Sequence, residues 1–99
     1  MDIQFQTLNF KADKKLLDLV TSKLSKLEHF YDKIIDANVY LKVQKSDDKE
    51  NKIIEIKLNV SQTTLFVEEK DKTFEIALDK AEDAIKSMLI KYKQKMTQS

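Results

Sequence analysis

Apolar residues along this chain recur with a period of two in some stretches and of between three and four in others, and each change of period marks a new element. Ile3 and Phe5 alternate with Gln4 and Gln6, the pattern of a strand with one wet face. Leu16, Val20, Leu24, Leu27 and Tyr31 then follow at steps of four, four, three and four. Such steps place all five on one face of a helix. Asp13 stands where an N-cap would, so the pattern predicts a helix over about 13–31, with Leu19 and Phe30 at the edge of the stripe. Alternation returns in NVYLKVQK, residues 38–45, where Val39, Leu41 and Val43 face away from Tyr40, Lys42 and Gln44. Ile54, Ile56, Leu58 and Val60 alternate with Glu55, Lys57 and Asn59, and Leu65 and Val67 with Phe66 and Glu68. The polar runs SDDKEN (46–51) and SQT read as turns. Thr73 is placed to cap a last helix whose stripe is Phe74, Ala77, Leu78, Ala81, Ile85, Met88, Tyr92 and Met96.

The order is β-α-β-β-β-α. Short turns join the last three strands into an antiparallel meander, whereas the first helix is a crossover, so the first two strands are expected to pair in parallel. Each helix has one apolar stripe to bury. The expected fold is α+β: a four-stranded mixed sheet with two helices packed on one face and the other face left to water. The whole of residues 1–99 is expected to form a single domain.

Composition narrows the chemistry. The chain has no glycine, proline or cysteine, and its eighteen basic residues are all lysine. A glycine-rich phosphate loop is therefore excluded, as are disulfides and thiolate metal sites. Turns must be made by Asp, Asn and Ser. Anion contacts fall to point-charge ammonium groups, without the two-pronged guanidinium. No apolar run is long enough to span a bilayer, and MDIQFQTLNF is a poor secretion signal, so the expectation is a soluble cytoplasmic protein with no membrane partner.

Net charge is only +1, but it is unevenly spread. Residues 68–83 carry seven acids and three lysines, whereas residues 84–99 carry Lys86, Lys91, Lys93 and Lys95 and no acid. At about 100° per residue, Lys15, Lys23, Lys26 and Lys33 fall on one flank of the first helix and Asp18, Glu28 and Asp32 on the other. Sorted charge suits a polyanion better than the interleaved signs of an ordinary solvated helix. In the second helix Lys86 and Lys93 flank the apolar stripe on one side, Lys91 and Lys95 on the other. Lone His29 lacks the companions of a metal site. Tyr40 and Phe66 share the open sheet face, where cross-strand packing is the simplest role, and no serine has a neighbouring base. The reading is of a protein that is not an enzyme and has no cofactor, no small-molecule substrate and no DNA partner.

KLSKLEHFYDKI (23–34), VYLKV (39–43) and KYKQKM (91–96), in that order, resemble the ribosome hibernation-promoting factor family, as does the strand IIEIKLNV. The resemblance covers almost the whole chain and implies the same β-α-β-β-β-α fold. It further implies a short-form factor that binds the small ribosomal subunit and its rRNA, in the cleft where messenger and transfer RNA lie, and blocks translation in slow growth. Carried over by position, the RNA contacts fall on Lys23, Lys26, Lys91, Lys93 and Lys95; Lys86 joins them on charge alone. Two other readings stand beside it. One is a double-stranded-RNA-binding module acting on free RNA; the other is a protein-interaction domain using the sheet face around Tyr40 and Phe66.

Overall fold

A computed structural model describes residues 1–45 and 49–97, with side chains described to residue 95. Ser46, Asp47 and Asp48 of the expected SDDKEN turn lie outside the described residues, as does the Met96 side chain assigned to the last helical stripe. The elements are strand β1 (Asp2–Leu8), helix α1 (Lys14–Ser25) continued by a 3₁₀ turn (Lys26–His29), strands β2 (Ile34–Val43), β3 (Lys52–Val60) and β4 (Thr63–Asp71), and helix α2 (Phe74–Thr97). The sheet order is β1-β2-β3-β4. β1 pairs in parallel with β2, while β2–β3 and β3–β4 are antiparallel, as the connection lengths require.

The alternating residues meet in register. Val39 lies opposite Ile56, and Ile56 opposite Val67; Leu41 lies opposite Ile54. These residues join Val20, Leu24, Leu27 and Tyr31 from the first helical segment, and Ala77, Leu78, Ala81, Ile85 and Leu89 from α2, in one core. Leu89, absent from the expected stripe, is only 1% exposed. Both caps form: Asp13 accepts the Leu16 amide at 2.9 Å and Thr73 the Ile76 amide at 3.2 Å. Each such cap stabilises its helix by about 1 kcal/mol. At the β4–α2 corner Asp71, nearly buried, accepts the Lys72 amide at 2.7 Å and pairs with Lys80 at 2.6 Å. That hydrogen bond from Lys80 holds the Asp71 carboxyl below its ordinary value and raises Lys80.

Three boundaries differ from expectation. α1 ends at Ser25, and its last turn tightens to 3₁₀. Steps of three and four residues serve both helix types, so the apolar spacing did not separate them. β2 begins at Ile34, because a bulge leaves Ile35 unpaired and 60% exposed, which breaks the alternation. β4 runs from Thr63 to Asp71, beyond its alternating apolar core. On the wet face Asn59 bridges the strands, donating to Asp36 and accepting from Thr64. Tyr40 and Phe66 also lie on this face, but β3 separates them. They stand at the sides of a shallow groove of about 280 Å³ lined also by Gln4, Gln6, Asn38 and Lys57.

With no glycine available, ordinary residues take the left-handed positions: Asn9 at φ 68° and Gln62 at φ 83°. Asn9 suits this region, but glutamine gains nothing there, and a Cβ in it costs roughly 1–2 kcal/mol. Gln62 sits in the two-residue turn between β3 and β4. Gln62→Gly is therefore expected to stabilise the fold by about 0.5–1 kcal/mol, part of the relief being offset by a freer unfolded chain. A higher midpoint at unchanged slope in urea unfolding would register it.

Candidate nucleic-acid interface

The two helices run parallel. Phe10, just before α1, stacks on Phe74 at the start of α2 at 4.8 Å, and Tyr31, beyond the 3₁₀ turn, meets Tyr92 edge to face at 5.8 Å. Residues along the first helical segment therefore face residues at matching heights on α2, and that alignment decides which charges meet.

Midway along, the Lys23 ammonium lies 2.8 Å from Asp79 and 3.7 Å from Glu82. Hydrogen bonding to Asp79, reinforced by Glu82, raises Lys23 above the ordinary lysine value. Lys23, expected among the RNA contacts, is thus engaged by acids of α2. The sorting of charge on α1 has a structural cause in part: Lys23, on its lysine flank, faces acids in the first half of α2. On the other flank Glu28 lies 3.4 Å from the N-terminal amine.

One turn further on, the polarity reverses. Lys26, at the start of the 3₁₀ turn, shares a surface groove with His29, Phe30 and Lys86, which the acids Glu82 and Asp83 also line. The Lys86 ammonium sits 4.5 Å from the centre of the Phe30 ring, a cation–π distance. The Lys93 ammonium donates to the Phe30 carbonyl at 2.9 Å, satisfying an acceptor that the end of the 3₁₀ turn leaves open. Lys33 and Lys93, with Glu28 and Asp32, line a second groove beside the same ring. Lys26, Lys33, Lys86 and Lys93 thus surround Phe30, and none pairs with a carboxylate among the described residues. Lys91 and Lys95 are exposed and stand on the other flank of α2. Of the six expected contacts, three are gathered here (Lys26, Lys86 and Lys93), two lie around the helix from them, and Lys23 is tied to acids.

This end is held firmly. The Tyr92 hydroxyl donates to the Ser61 carbonyl, and the Ser61 amide donates to the Lys33 carbonyl at 3.0 Å. Burial, with Tyr31 adjoining, pushes the Tyr92 phenol up. The lysines therefore project from a braced platform rather than from a fraying helix end.

Sequence reasoning passed over two residues here. Lys33, grouped by angle with the helix flank although it falls past the expected helix end at 31, lies in the turn that follows. Phe30 was only an edge residue of the stripe, yet it is 38% exposed at the centre of the lysines. The signal was available: a large apolar side chain off the stripe, flanked by lysines within a few residues. Among the described residues no cluster of His, Asp or Glu could hold a metal ion, and no helix is long and apolar enough to cross a membrane.

The family described as sigma 54 modulation protein / S30EA ribosomal protein matches residues 3–97. The ribosome hibernation promotion factor of Deinococcus radiodurans is 32% identical over 92 residues, which cover 91% of this chain and 48% of that protein. The ribosome hibernation promoting factor of Klebsiella oxytoca is 29% identical over 98 residues, covering 99% of each. This chain thus spans about half the length of the first relative and nearly all of the second. In three dimensions, a ribosomal subunit interface protein from Coxiella burnetii superposes with a TM-score of 0.84 at 19% identity, covering 95% of this chain and 99% of that one. The N-terminal domain of Thermus thermophilus Protein Y superposes with a TM-score of 0.80 at 24% identity, covering 93% and 99%. These likenesses establish the fold.

Proposed function

From the premise that this chain belongs to the sigma 54 modulation protein / S30EA ribosomal protein family, we propose that it is a ribosome hibernation factor. It binds the small ribosomal subunit in the cleft that otherwise holds messenger and transfer RNA, and by occupying that cleft it blocks translation when growth slows. The observation that carries this reading is the group of lysines around Phe30, held on a braced platform and free of carboxylate partners. Ammonium groups fix position on phosphate without reading bases, so specificity falls to the shape of the cleft. The helix pair, acidic at mid-length and basic at its end, also supplies a direction. The basic end meets phosphate, while Asp79 is taken up by its pair with Lys23.

Sucrose-gradient fractionation of a stationary-phase lysate tests the proposal. The protein is expected in the small-subunit and whole-ribosome fractions. A variant with Lys26, Lys33, Lys86 and Lys93 replaced by alanine is expected at the top of the gradient, with an unchanged circular dichroism spectrum. Wild-type protein confined to the top fractions refutes the reading.

A further inference from the structure

Phosphate contacts leave the centre of the basic patch unexplained. Burying Phe30 would be favourable by an amount proportional to the apolar area removed from water, yet its ring is 38% exposed. Three surface grooves converge on it. One holds Lys26 and Lys86 with Glu82 and Asp83, one holds His29, Lys33 and Lys93 with Glu28 and Asp32, and one holds Leu89, Ile90 and Lys93. Both lysines from α2 are oriented through this residue, Lys86 by the ring and Lys93 by the carbonyl. A half-exposed aromatic ring ringed by ammonium groups matches the way proteins hold single-stranded nucleic acid. The cations follow the phosphates, and the ring receives a base whose flat face every nucleotide offers.

We infer that Phe30 is a stacking platform for one unpaired RNA base, which takes the place of the Lys86 ammonium over the ring while Lys86 moves to the adjoining phosphate. The inference deepens the ribosomal reading and rests on it for the source of the base, an unpaired nucleotide of small-subunit RNA. The chemistry is independent of that source, because an exchange of ammonium for base needs only an RNA strand with an unstacked nucleotide. An apolar protein partner suits the site less well: the ammonium groups of Lys26, Lys33, Lys86 and Lys93 would have to be desolvated around it, none of them in an ion pair with the acids that line the same grooves.

The chain contains no tryptophan, so Phe30→Trp introduces a single reporter that can be excited apart from the tyrosines. Oligoadenylate and purified small subunits are expected to quench its emission in a saturable way. Inorganic polyphosphate of matched charge, which offers phosphates without bases, is expected to bind without quenching. In parallel, Phe30→Leu is expected to weaken binding to small subunits about tenfold to a hundredfold, the range for loss of one stacked base. The salt dependence should stay unchanged, because no phosphate contact is removed. Equal quenching by polyphosphate overturns the inference, as does emission unchanged by oligoadenylate and by bound subunits alike. So does a Phe30→Leu variant whose salt dependence falls by one or two phosphates, the mark of a residue that merely positions Lys86 and Lys93. Quenching by oligoadenylate in a protein that never sediments with ribosomes would refute the ribosomal reading and leave the stacking platform standing.

Discussion

Leu89→Ala is expected to cost about 2–5 kcal/mol of folding stability. Leu89 is 1% exposed and belongs to the core. It also lies under the basic patch, lining a groove with Phe30 and Lys93. Truncation would remove its transfer energy and leave a void between α2 and the 3₁₀ turn that the braced surroundings cannot collapse to fill. A folded unit of about this size has a total stability of only about 5–15 kcal/mol, so the loss is a large share of the whole. Ile90→Ala, one residue on and 39% exposed, is the control. Surface changes of that kind usually stay within about 0.5 kcal/mol. Urea unfolding followed by circular dichroism, with both variants at a common slope, measures the difference. Equal midpoints for the two variants would contradict the burial assigned to Leu89.

The second large effect is on affinity. Each phosphate neutralised releases counterions, so log K falls with log salt by about 0.7–0.9 per contact. Four contacts by Lys26, Lys33, Lys86 and Lys93 give a slope of about −3 to −4, and hence a weakening on the order of a hundredfold between 50 and 200 mM salt. Replacing any one of the four by alanine should reduce the slope by about one. Lys23→Ala should leave it unchanged, because that ammonium is already held by Asp79 and Glu82. Its loss should appear instead as at most about 1 kcal/mol of stability, the usual worth of a partly exposed pair. Lys91 and Lys95, around the helix from Phe30, should change the slope less than the four. Binding to purified small subunits across a salt series reads all of these values. A slope that falls for Lys23→Ala and holds for Lys86→Ala would reverse the assignment.

The architecture was legible because each strand shows one wet face and one dry face, and a period of two is hard to mistake. Val39, Leu41, Ile54, Ile56, Leu58, Leu65 and Val67 were read directly and all lie in the core. The caps at Asp13 and Thr73 were equally plain, since a short polar side chain before an apolar stripe has few other uses. What escaped was tertiary or geometrical. The 3₁₀ turn shares its side-chain spacing with the helix it extends. The start of β2 is hidden by a bulge. Leu89 neighbours residues that fit the stripe and was displaced by Met88. The pairing of Lys23 with Asp79 depends on the two helices being parallel and in register, a relation no local window contains. Yet the acids of 68–83 and the lysine flank of the first helix are both plain in the sequence, and setting them side by side suggests the pair.

The long extent of the molecule, 48 Å against 23 and 18 Å, gives the uneven charge of its longest helix a final consequence. Acids in the first half of α2 and bases in the second make a dipole along the rod, while the net charge stays at +1. Beyond a screening distance of about 8–10 Å such a body is pulled weakly toward any uniform polyanion. It feels torque wherever the potential changes steeply across its length. A recess whose negative potential rises steeply at one end would favour the orientation that sets the basic end of the rod against it.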